Sequence, residues 1–275
     1  MNSAPPTDAP PGAAVTAEGF GVRGPRGWAL SDVDITAAPG ALVAVEGPSG
    51  SGRTCLLLAL TGRMRADAGR AEVAGLPLSG TGRGAYRRNM AAVRRISALA
   101  HVPGVAELDT SLTVAEHLRE RALLRRRFGG PLRGLLRPRA ERTAETGARV
   151  EAALAAAGLD PAALPKGDRT AVRDLERLES LRLSVALALI GGPRLLAVDD
   201  TDLKLSDAER TRAWALLRSV ADAGTTVLAV CGTAPPEATV VVPTARREAG
   251  ADTEAGADTC DEEDAADALA ETGRA

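Results

Sequence analysis

Residues 41–60 read ALVAVEGPSGSGRTCLLLAL, and this stretch decides the fold. Its first five residues form a continuous apolar run before a glycine-rich turn, which is typical of a strand buried on both faces of a parallel sheet. The apolar stretch from Thr54 to Leu60 then predicts a helix that ends at Gly62. The glycine-rich loop therefore lies between a strand and a helix, which is the setting in which such a loop holds phosphate groups.

The loop at residues 47–54 matches the phosphate-binding pattern G-x-x-x-x-G-K-[ST], except that Arg53 replaces the lysine. Glycines let backbone N–H groups approach a triphosphate, and the N-terminus of the following helix adds a favourable dipole. Thr54 can offer its hydroxyl to Mg²⁺. We predict that the nucleotide is held by Gly47, Pro48, Ser49, Gly50, Ser51, Gly52, Arg53, Thr54 and Cys55.

Two residues of this loop predict altered chemistry. The guanidinium of Arg53 is broad and planar and prefers paired contacts, whereas a lysine ammonium is a compact point charge. Cys55 offers only a thiol, a weak hydrogen-bond donor, where a hydroxyl would bind phosphate better. We therefore expect retained or weakened nucleotide binding and impaired hydrolysis. A glycine-rich turn without a ligand is the alternative interpretation.

A second apolar strand ends in two acids. Residues 195–198 are Leu-Leu-Ala-Val, and Asp199 and Asp200 follow them. An acid in this position holds Mg²⁺ in P-loop enzymes, and we assign that role to Asp199. Asp200 falls where a general base or water-positioning carboxylate would lie. It is one methylene shorter than glutamate, and a misplacement of about 1 Å can cost roughly 10²-fold in rate. A pair of turn or helix-capping acids is the alternative.

Composition limits the possible classes of protein. The chain has 275 residues and a formal net charge of −2, which gives no reason to expect a nucleic-acid partner. Its three cysteines are odd in number and widely spaced, which predicts neither a disulfide framework nor a metal site. The sequence shows no signal-peptide pattern and no apolar stretch long enough to span a bilayer. We therefore expect a cytoplasmic protein that can dock on a membrane partner.

The pattern divides the chain into four parts. Residues 1–14, rich in Pro and Ala, are expected to be disordered. Residues 15–114 and 170–244 are expected to form the nucleotide-binding core, and residues 115–169 an arginine-rich helical subdomain. The basic face of this subdomain lies near a membrane or a partner, or it is simply solvated. Residues 245–275 are expected to form a disordered, low-complexity acidic tail, with ten Asp or Glu against three Arg from residue 246 onward. The tail engages a basic partner or the arginine-rich segment of its own chain, or it only keeps the chain soluble.

Periodicity predicts the remaining elements of the core. Short apolar alternations before residue 40 predict an antiparallel β region, with Val33 and Ile35 on one face. The other predicted elements are helices at 172–190 and 207–223 and strands at 195–198, 226–231 and 240–242.

Together these segments resemble the ATP-binding subunits of ATP-binding cassette (ABC) transporters across about residues 15–243. The similar stretches are ALSDV at 29–33, the phosphate-binding loop, DAG at 67–69, LTVAEHL at 112–118 and GPRLLAVD at 192–199. The resemblance implies an α/β P-loop NTPase fold with a mostly parallel central sheet, an N-terminal antiparallel β region and an inserted helical subdomain. It also implies ATP and Mg²⁺ as ligands. The implied partners are a membrane permease at the inner face of the cell membrane and a second ATP-binding subunit, like or unlike.

The chain departs from the family pattern at several positions. Residues 177–181 read RLESL where the family signature, Leu-Ser-Gly-Gly-Gln, holds the γ-phosphate of the opposite subunit, and Glu179 would repel that phosphate. Gly232 stands where the family has a histidine, and Ser206 stands where it has an aspartate. The glutamine that precedes the helical subdomain in the family is not evident, although His101 lies in that neighbourhood.

The resemblance also implies an aromatic residue that stacks on adenine. We predict Phe20 for this role, with Trp28 second, and ordinary core packing as the alternative for either. The prediction is thus a degenerate ABC subunit that binds ATP–Mg²⁺ with weak or absent hydrolysis. An active ATPase with an adapted site and a scaffold that binds no nucleotide are the alternatives within this fold. A nucleotide kinase would need acceptor-binding residues that the helical segment does not offer.

Overall fold

The computed structural model describes residues 12–24, 27–80, 82–128 and 139–245. Most of the N-terminal segment expected to be disordered, the interruption at residues 129–131 and nearly all of the acidic tail lie outside these ranges. In chain order the elements are β1 (Val15–Gly24), β2 (Gly27–Ala37), β3 (Leu42–Glu46), α1 (Arg53–Leu60), β4 (Ala68–Val73), β5 (Leu76–Pro77), α2 (Arg83–Ile96), β6 (Ser97–Leu99), α3 (Val114–Phe128), α4 (Arg139–Ala156), α5 (Arg177–Leu189), β7 (Leu195–Val198), α6 (Asp207–Asp222), β8 (Thr226–Cys231) and β9 (Val240–Pro243).

The central sheet has five parallel strands in the order β6-β7-β8-β3-β9. The strand predicted from the opening stretch is β3, and it lies inside the sheet between β8 and β9. Its residues alternate between two apolar cores. Val43 and Val45 face the core that contains α1, whereas Leu42 and Ala44 face the core that contains α5 and α6. Burial on both faces explains why this strand is continuously apolar.

A second sheet is antiparallel, in the order β2-β1-β4-β5. Val33 and Ile35 of β2 are both buried on one face, as their alternation predicts. Helix α1 lies between this sheet and the central sheet and buries Leu56, Leu57 and Leu60. The two sheets and the helices between them confirm the predicted P-loop NTPase fold. They also hold the glycine-rich loop at the edge where the parallel strands end.

The helices α3, α4 and α5 share a third apolar cluster, which includes Val114, Leu118, Ala153 and Leu183. Within the described residues, no helix has the length and apolar character needed to cross a membrane.

Three local predictions need correction. The helix predicted at 172–190 begins only at Arg177, because a separate 3-10 turn covers Val172–Asp174. Residues 12–14 fall in the segment expected to be disordered, yet Ala13 is fully buried and its N–H donates to the carbonyl of Arg194 over 3.0 Å. Helix α2 is missing from the predicted elements, since it buries only Met90 and Val93 and is otherwise arginine-rich.

Candidate nucleotide-binding site

The loop between β3 and α1 depends on a glycine at its last position. Gly52 adopts a left-handed conformation with φ of 80° and caps the N-terminus of α1. A Cβ atom on Gly52 would lie 2.3 Å from the carbonyl oxygen of Ala29, so no other residue fits without displacing β2. The packing of the antiparallel sheet against the loop therefore fixes where α1 begins.

The base of the loop is tied to the end of β9. The Thr244 hydroxyl donates to the carbonyl of Glu46 over 2.9 Å and lies 2.7 Å from the Ser51 hydroxyl. Because Thr244 has a single hydroxyl proton, Ser51 is the donor between the two hydroxyls. The Gly47 N–H donates to the carbonyl of Cys231 over 3.3 Å. The loop is thus held by β3, β8 and β9 before any ligand is considered.

The N–H groups where the loop joins α1 are available to an anion. No side chain caps α1 at Gly52, and the first turn of α1 contains no acidic residue. The first N–H groups of a helix have no partner within the helix, so these N–H groups can donate hydrogen bonds to a phosphate. Gly50 has φ of 82°, and the space beside its Cα is open, because a Cβ atom there would have no heavy atom within 4 Å. These features fit the phosphate chain of a nucleotide.

Thr54 and Asp199 meet at the mouth of this loop. The Thr54 hydroxyl donates to Asp199 Oδ2 over 2.5 Å, and the Asp200 N–H donates to Asp199 Oδ1 over 2.9 Å. Burial raises the pKa of Asp199, and the two hydrogen bonds oppose that rise. The strands β3 and β7 are not neighbours in the sheet, so only the fold brings these two residues together.

The donor set suits Mg²⁺ bound together with a nucleotide. Among the described residues, no group of three or more His, Cys, Asp or Glu side chains could hold a metal ion by itself. Mg²⁺ is usually bound by one or two carboxylates plus substrate phosphates, rather than by an all-protein cage. Thr54 and Asp199 can supply two oxygen ligands, and the phosphates would have to supply the others.

Arg53 and Cys55 lie at the end of the loop and in the first turn of α1. Their surroundings determine the hydrogen bonding of Arg53 and the protonation of Cys55. A guanidinium nitrogen of Arg53, Nη1, donates to the carbonyl of Cys231 at the end of β8. Arg53 is therefore engaged by the main chain in this conformation. Cys55 is half-buried against the core, and burial followed by the nearby Asp199 raises the pKa of its thiol. The thiol stays neutral and offers at most a weak hydrogen bond.

Asp200 and His101 lie next to the Thr54–Asp199 pair. Asp200 has a left-handed φ of 47°, which aspartate tolerates better than most residues, and its carbonyl accepts from Arg177 Nη2 over 3.4 Å. The carbonyl of His101 accepts from the Asp199 N–H over 2.8 Å. Burial first, and the charge of Arg177 second, lower the pKa of His101. His101 is therefore a site residue to which the sequence assigns no role.

The adjacency of β6 and β7 could have revealed His101. These strands are parallel neighbours, so residues that follow them meet at the same edge of the sheet. His101 follows β6 and Asp199 follows β7.

The predicted stacking role of Phe20 does not fit its position. Phe20 is 0% exposed in the core between the sheets, and a ring without an open face cannot stack on a ligand. Trp28, the second residue considered, is half-buried, and the guanidinium carbon of Arg23 lies 4.5 Å from the centroid of its ring. Trp28 is the better candidate for contact with adenine, because part of its side chain is exposed.

The start of α5 differs from the start of α1. The stretch RLESL forms the first turns of α5, and Glu176 precedes it as the N-cap residue. The Glu176 N–H donates to Glu179 Oε2 over 2.8 Å, and the two residues form a capping box. Carboxylates therefore occupy a helix start at which the family signature would meet a phosphate.

Gly232 follows β8 and brings no side chain to the site. Its N–H donates to Asp202 Oδ2 over 2.8 Å. The position where the family has a histidine thus joins two loops through the main chain, and it supplies no titratable group.

The fold and the loop define the chain as a P-loop NTPase. The family model described as "ABC transporter" matches residues 30–202, and the chain belongs to that family. It is 33% identical over 221 residues to the Fe(3+) ions import ATP-binding protein FbpC of Streptomyces coelicolor, covering 80% of this chain and 55% of that protein. It is 31% identical over 215 residues to the daunorubicin resistance ATP-binding protein DrrA3 of Streptomyces coeruleorubidus, covering 78% of this chain and 59% of that protein.

The chain thus spans little more than half the length of these two relatives. Solved structures show the same fold at low sequence identity. The cassette cbiO1 from Clostridium perfringens, part of the ABC transporter complex cbiONQ, superposes with a TM-score of 0.65 at 18% identity, over 85% of each chain. The dimeric bacterial ABC transporter cassette MJ0796 superposes with a TM-score of 0.63 at 17% identity, over 84% of this chain and 94% of that chain.

Proposed function

We propose that this chain is a nucleotide-binding subunit of an ABC transporter that binds ATP–Mg²⁺ and hydrolyses it slowly or not at all. One observation carries the binding half of the proposal. The uncapped start of α1 lies beside the hydrogen-bonded pair of Thr54 and Asp199, so anion-binding amides and two oxygen ligands converge at one place. Residues 47–55 hold the phosphates in this proposal, and Trp28 contacts the adenine.

Each part of the site has a distinct task. The amides of the loop and of the first turn of α1 bind and orient the phosphates. Thr54 and Asp199 would hold Mg²⁺, which supplies neutralising charge at the outer phosphates when it is bound. Arg53 must break its hydrogen bond to the carbonyl of Cys231 before it can contact a phosphate. Its guanidinium is therefore not available to a nucleotide that first enters the loop.

Slow hydrolysis follows from three residues in this proposal. Asp200 is shorter than a glutamate, Gly232 offers no side chain, and Arg53 is engaged by the main chain. The relevant measurement is steady-state phosphate release by the purified protein. Steady turnover that Asp200→Asn abolishes would show an active ATPase and overturn this half of the proposal.

The start of α5 supports an unlike partner. Because carboxylates of Glu176 and Glu179 cover it, this chain does not offer a phosphate clamp to a second copy of itself. A partner subunit with an intact signature would supply the clamp opposite this P-loop. The proposed assembly is therefore a heterodimer of ATP-binding subunits.

A groove of about 280 Å³ between the core and the helical region supports docking on a permease. Val105 and Leu124 line it and are 54% and 44% exposed. We assign the groove to a short cytoplasmic segment of a membrane permease, which would place the chain at the inner face of the cell membrane. Val105→Asp with Leu124→Asp should abolish co-purification with the permease. Leu203→Asp, at an exposed leucine away from the groove, should not. Retained co-purification of the double variant would reject this assignment.

Calorimetric titration of ATP–Mg²⁺ tests the binding site. Wild-type protein should bind, and Asp199→Asn or Thr54→Ala should weaken binding by about tenfold or more, because each removes a charged or hydroxyl ligand worth about 1.5–3 kcal/mol. Thr211→Ala is the matched control, since Thr211 is an exposed threonine on α6. Undetectable binding by folded wild-type protein would favour a scaffold without nucleotide, and equal binding by all variants would place the nucleotide elsewhere.

A further inference from the structure

A second cavity lies away from the P-loop, between β4 and the start of α2. Its volume is about 730 Å³, which is within the range of small-molecule sites. Three arginines line it, namely Arg65, Arg83 and Arg87, against a single acid, Asp67. The cavity is therefore strongly cationic, although the whole chain carries a net charge of −2.

The three arginines are exposed, and within the described part of the chain none of them forms a hydrogen bond or an ion pair. The acid is already engaged, because Asp67 Oδ2 accepts from the Arg23 N–H over 2.8 Å. Unpaired guanidinium groups that converge on a concave surface match the planar, multiply charged oxygens of a phosphate.

The start of α2 adds a further group suited to an anion. Tyr86 also lines the cavity, but its hydroxyl is shielded from solvent, so only its ring is within direct reach of a ligand there. Helix α2, of 14 residues, has no side-chain cap at Gly82 and no acidic residue in its first turn. Its first N–H groups have no partner within the helix and can donate to an anion.

The remaining lining indicates an organic group rather than a bare anion. The cavity is much larger than a phosphate, and Ala66, Ala68, Leu78 and the ring of Tyr86 also line it. We propose that this cavity binds a small organic phosphate, with the phosphate at Arg83, Arg87 and the start of α2. The organic part lies against Ala66, Ala68 and the ring of Tyr86. This site is separate from the P-loop and does not depend on ATP binding there.

Titration of the full-length chain with phenyl phosphate, in a buffer without other phosphate, tests the proposal. Wild-type protein should bind with a saturable isotherm. The double variant Arg83→Gln/Arg87→Gln should bind about tenfold more weakly or worse, given the strength of hydrogen bonds to charged groups. Arg88→Gln is the matched control, because Arg88 is an exposed arginine of the same helix that does not line the cavity. Exposed arginine-to-glutamine changes should leave the melting temperature unchanged, which confirms that the variants are folded.

Two comparisons separate this site from other phosphate sites. Thr54→Ala should leave phenyl phosphate binding unchanged, whereas it should weaken ATP–Mg²⁺ binding. Failure of the nucleotide site and failure of this cavity are therefore distinguishable. Inorganic phosphate should bind several-fold more weakly than phenyl phosphate, because it leaves the apolar lining unused. The proposal is overturned by absent wild-type binding, by equal binding of the double variant, by an equal loss in Arg88→Gln, or by tighter binding of inorganic phosphate.

Discussion

At the scale of single residues, Arg53 links the phosphate loop to the end of β8. Its guanidinium donates to the carbonyl of Cys231, the same carbonyl that accepts the Gly47 N–H. A lysine would place a compact, strongly hydrated charge on a flexible stem, without the planar fork that favours such fixed contacts. A contact between Arg53 and a phosphate therefore requires that this hydrogen bond break first.

Arg53→Lys should tighten ATP–Mg²⁺ binding. Releasing the guanidinium from Cys231 removes a charged hydrogen bond of about 1.5–3 kcal/mol that the ligand must otherwise break, so we expect roughly a tenfold lower Kd. Calorimetry measures this change. Arg70→Lys, at an exposed position on β4, is the control for a general effect of lysine. Unchanged or weaker binding by Arg53→Lys would show that the contact with Cys231 does not limit the ligand.

The position of a single residue can be predicted where a residue type at that point in a pattern has few structural explanations. It cannot be predicted where the packing of neighbouring strands decides which way the side chain points. The placement of Gly52 in the turn before α1 and of Asp199 after a buried strand could be predicted, because a glycine-rich turn and an acid after a buried strand each have few causes. Their binding roles stay predictions. Phe20 could not be placed, because the register of β1 against β2 shifts on both sides of it. A register shift changes the face to which a side chain points, and simple alternation does not reveal it.

At the scale of elements, the starts of the helices fall into two kinds, those without a side-chain cap and those that carry their own capping box. Helices α1 and α2 begin without side-chain caps, and both begin beside clusters of polar residues. Helices α5 and α6 begin with capping boxes built from Glu176 with Glu179 and from Ser206 with Glu209. Ser206, which stands in place of a family aspartate, thus acts as a cap for α6.

Ser206→Ala should lower the free energy of unfolding by about 1 kcal/mol, the usual cost of removing a serine cap. Urea denaturation measures this loss, with Ser219→Ala in the interior of α6 as the control. Hydrogen bonds from the Ser206 hydroxyl and N–H hold the pKa of Glu209 below its ordinary value. A depressed pKa contributes stability above the unfolded value that is lost as pH falls through the folded value.

The difference in stability between wild type and Ser206→Ala should therefore shrink below about pH 4, near the ordinary range of glutamate. A difference that persists at lower pH would show that the Glu209 carboxylate takes no part in the cap.

The elements themselves were predictable in proportion to their burial. Strands β3, β7 and β8 are buried on both faces, so their continuous apolar runs stand out in the sequence. Helix α2 could not be predicted from the sequence, because its 14 residues bury only Met90 and Val93 and its remaining surface is mostly polar. Packing of α2 against β5 and β6 stabilises it, and such tertiary contacts leave little trace in a local pattern.

At the scale of the whole molecule, we expect a subunit that cannot complete a nucleotide site with a second copy of itself and therefore needs an unlike partner. The chain presents a P-loop, but the start of α5 is covered by its own carboxylates. The groove with Val105 and Leu124 is lined by no residue of the P-loop. Nucleotide can therefore bias assembly only through a partner that binds the loaded P-loop better than the empty one.

The purified chain should remain monomeric in saturating ATP–Mg²⁺. Repulsion between Glu179 and the phosphates of a second copy opposes a homodimer with two composite sites. Sedimentation velocity with and without nucleotide measures the state directly. A nucleotide-dependent homodimer would contradict this prediction. If Glu179→Gln alone produced such a dimer, the carboxylate would be shown to be the obstacle.

The central claim is that main-chain amides at the junction of β3 and α1 hold the phosphates of a nucleotide. Backbone ¹H–¹⁵N spectra of the labelled chain during an ATP–Mg²⁺ titration test it most directly, because they report each amide separately. We predict that the largest shifts fall on the amides of Gly50, Gly52, Arg53 and Thr54. Unchanged loop amides at saturating nucleotide, or largest shifts at Arg83 and Arg87 instead, would contradict it.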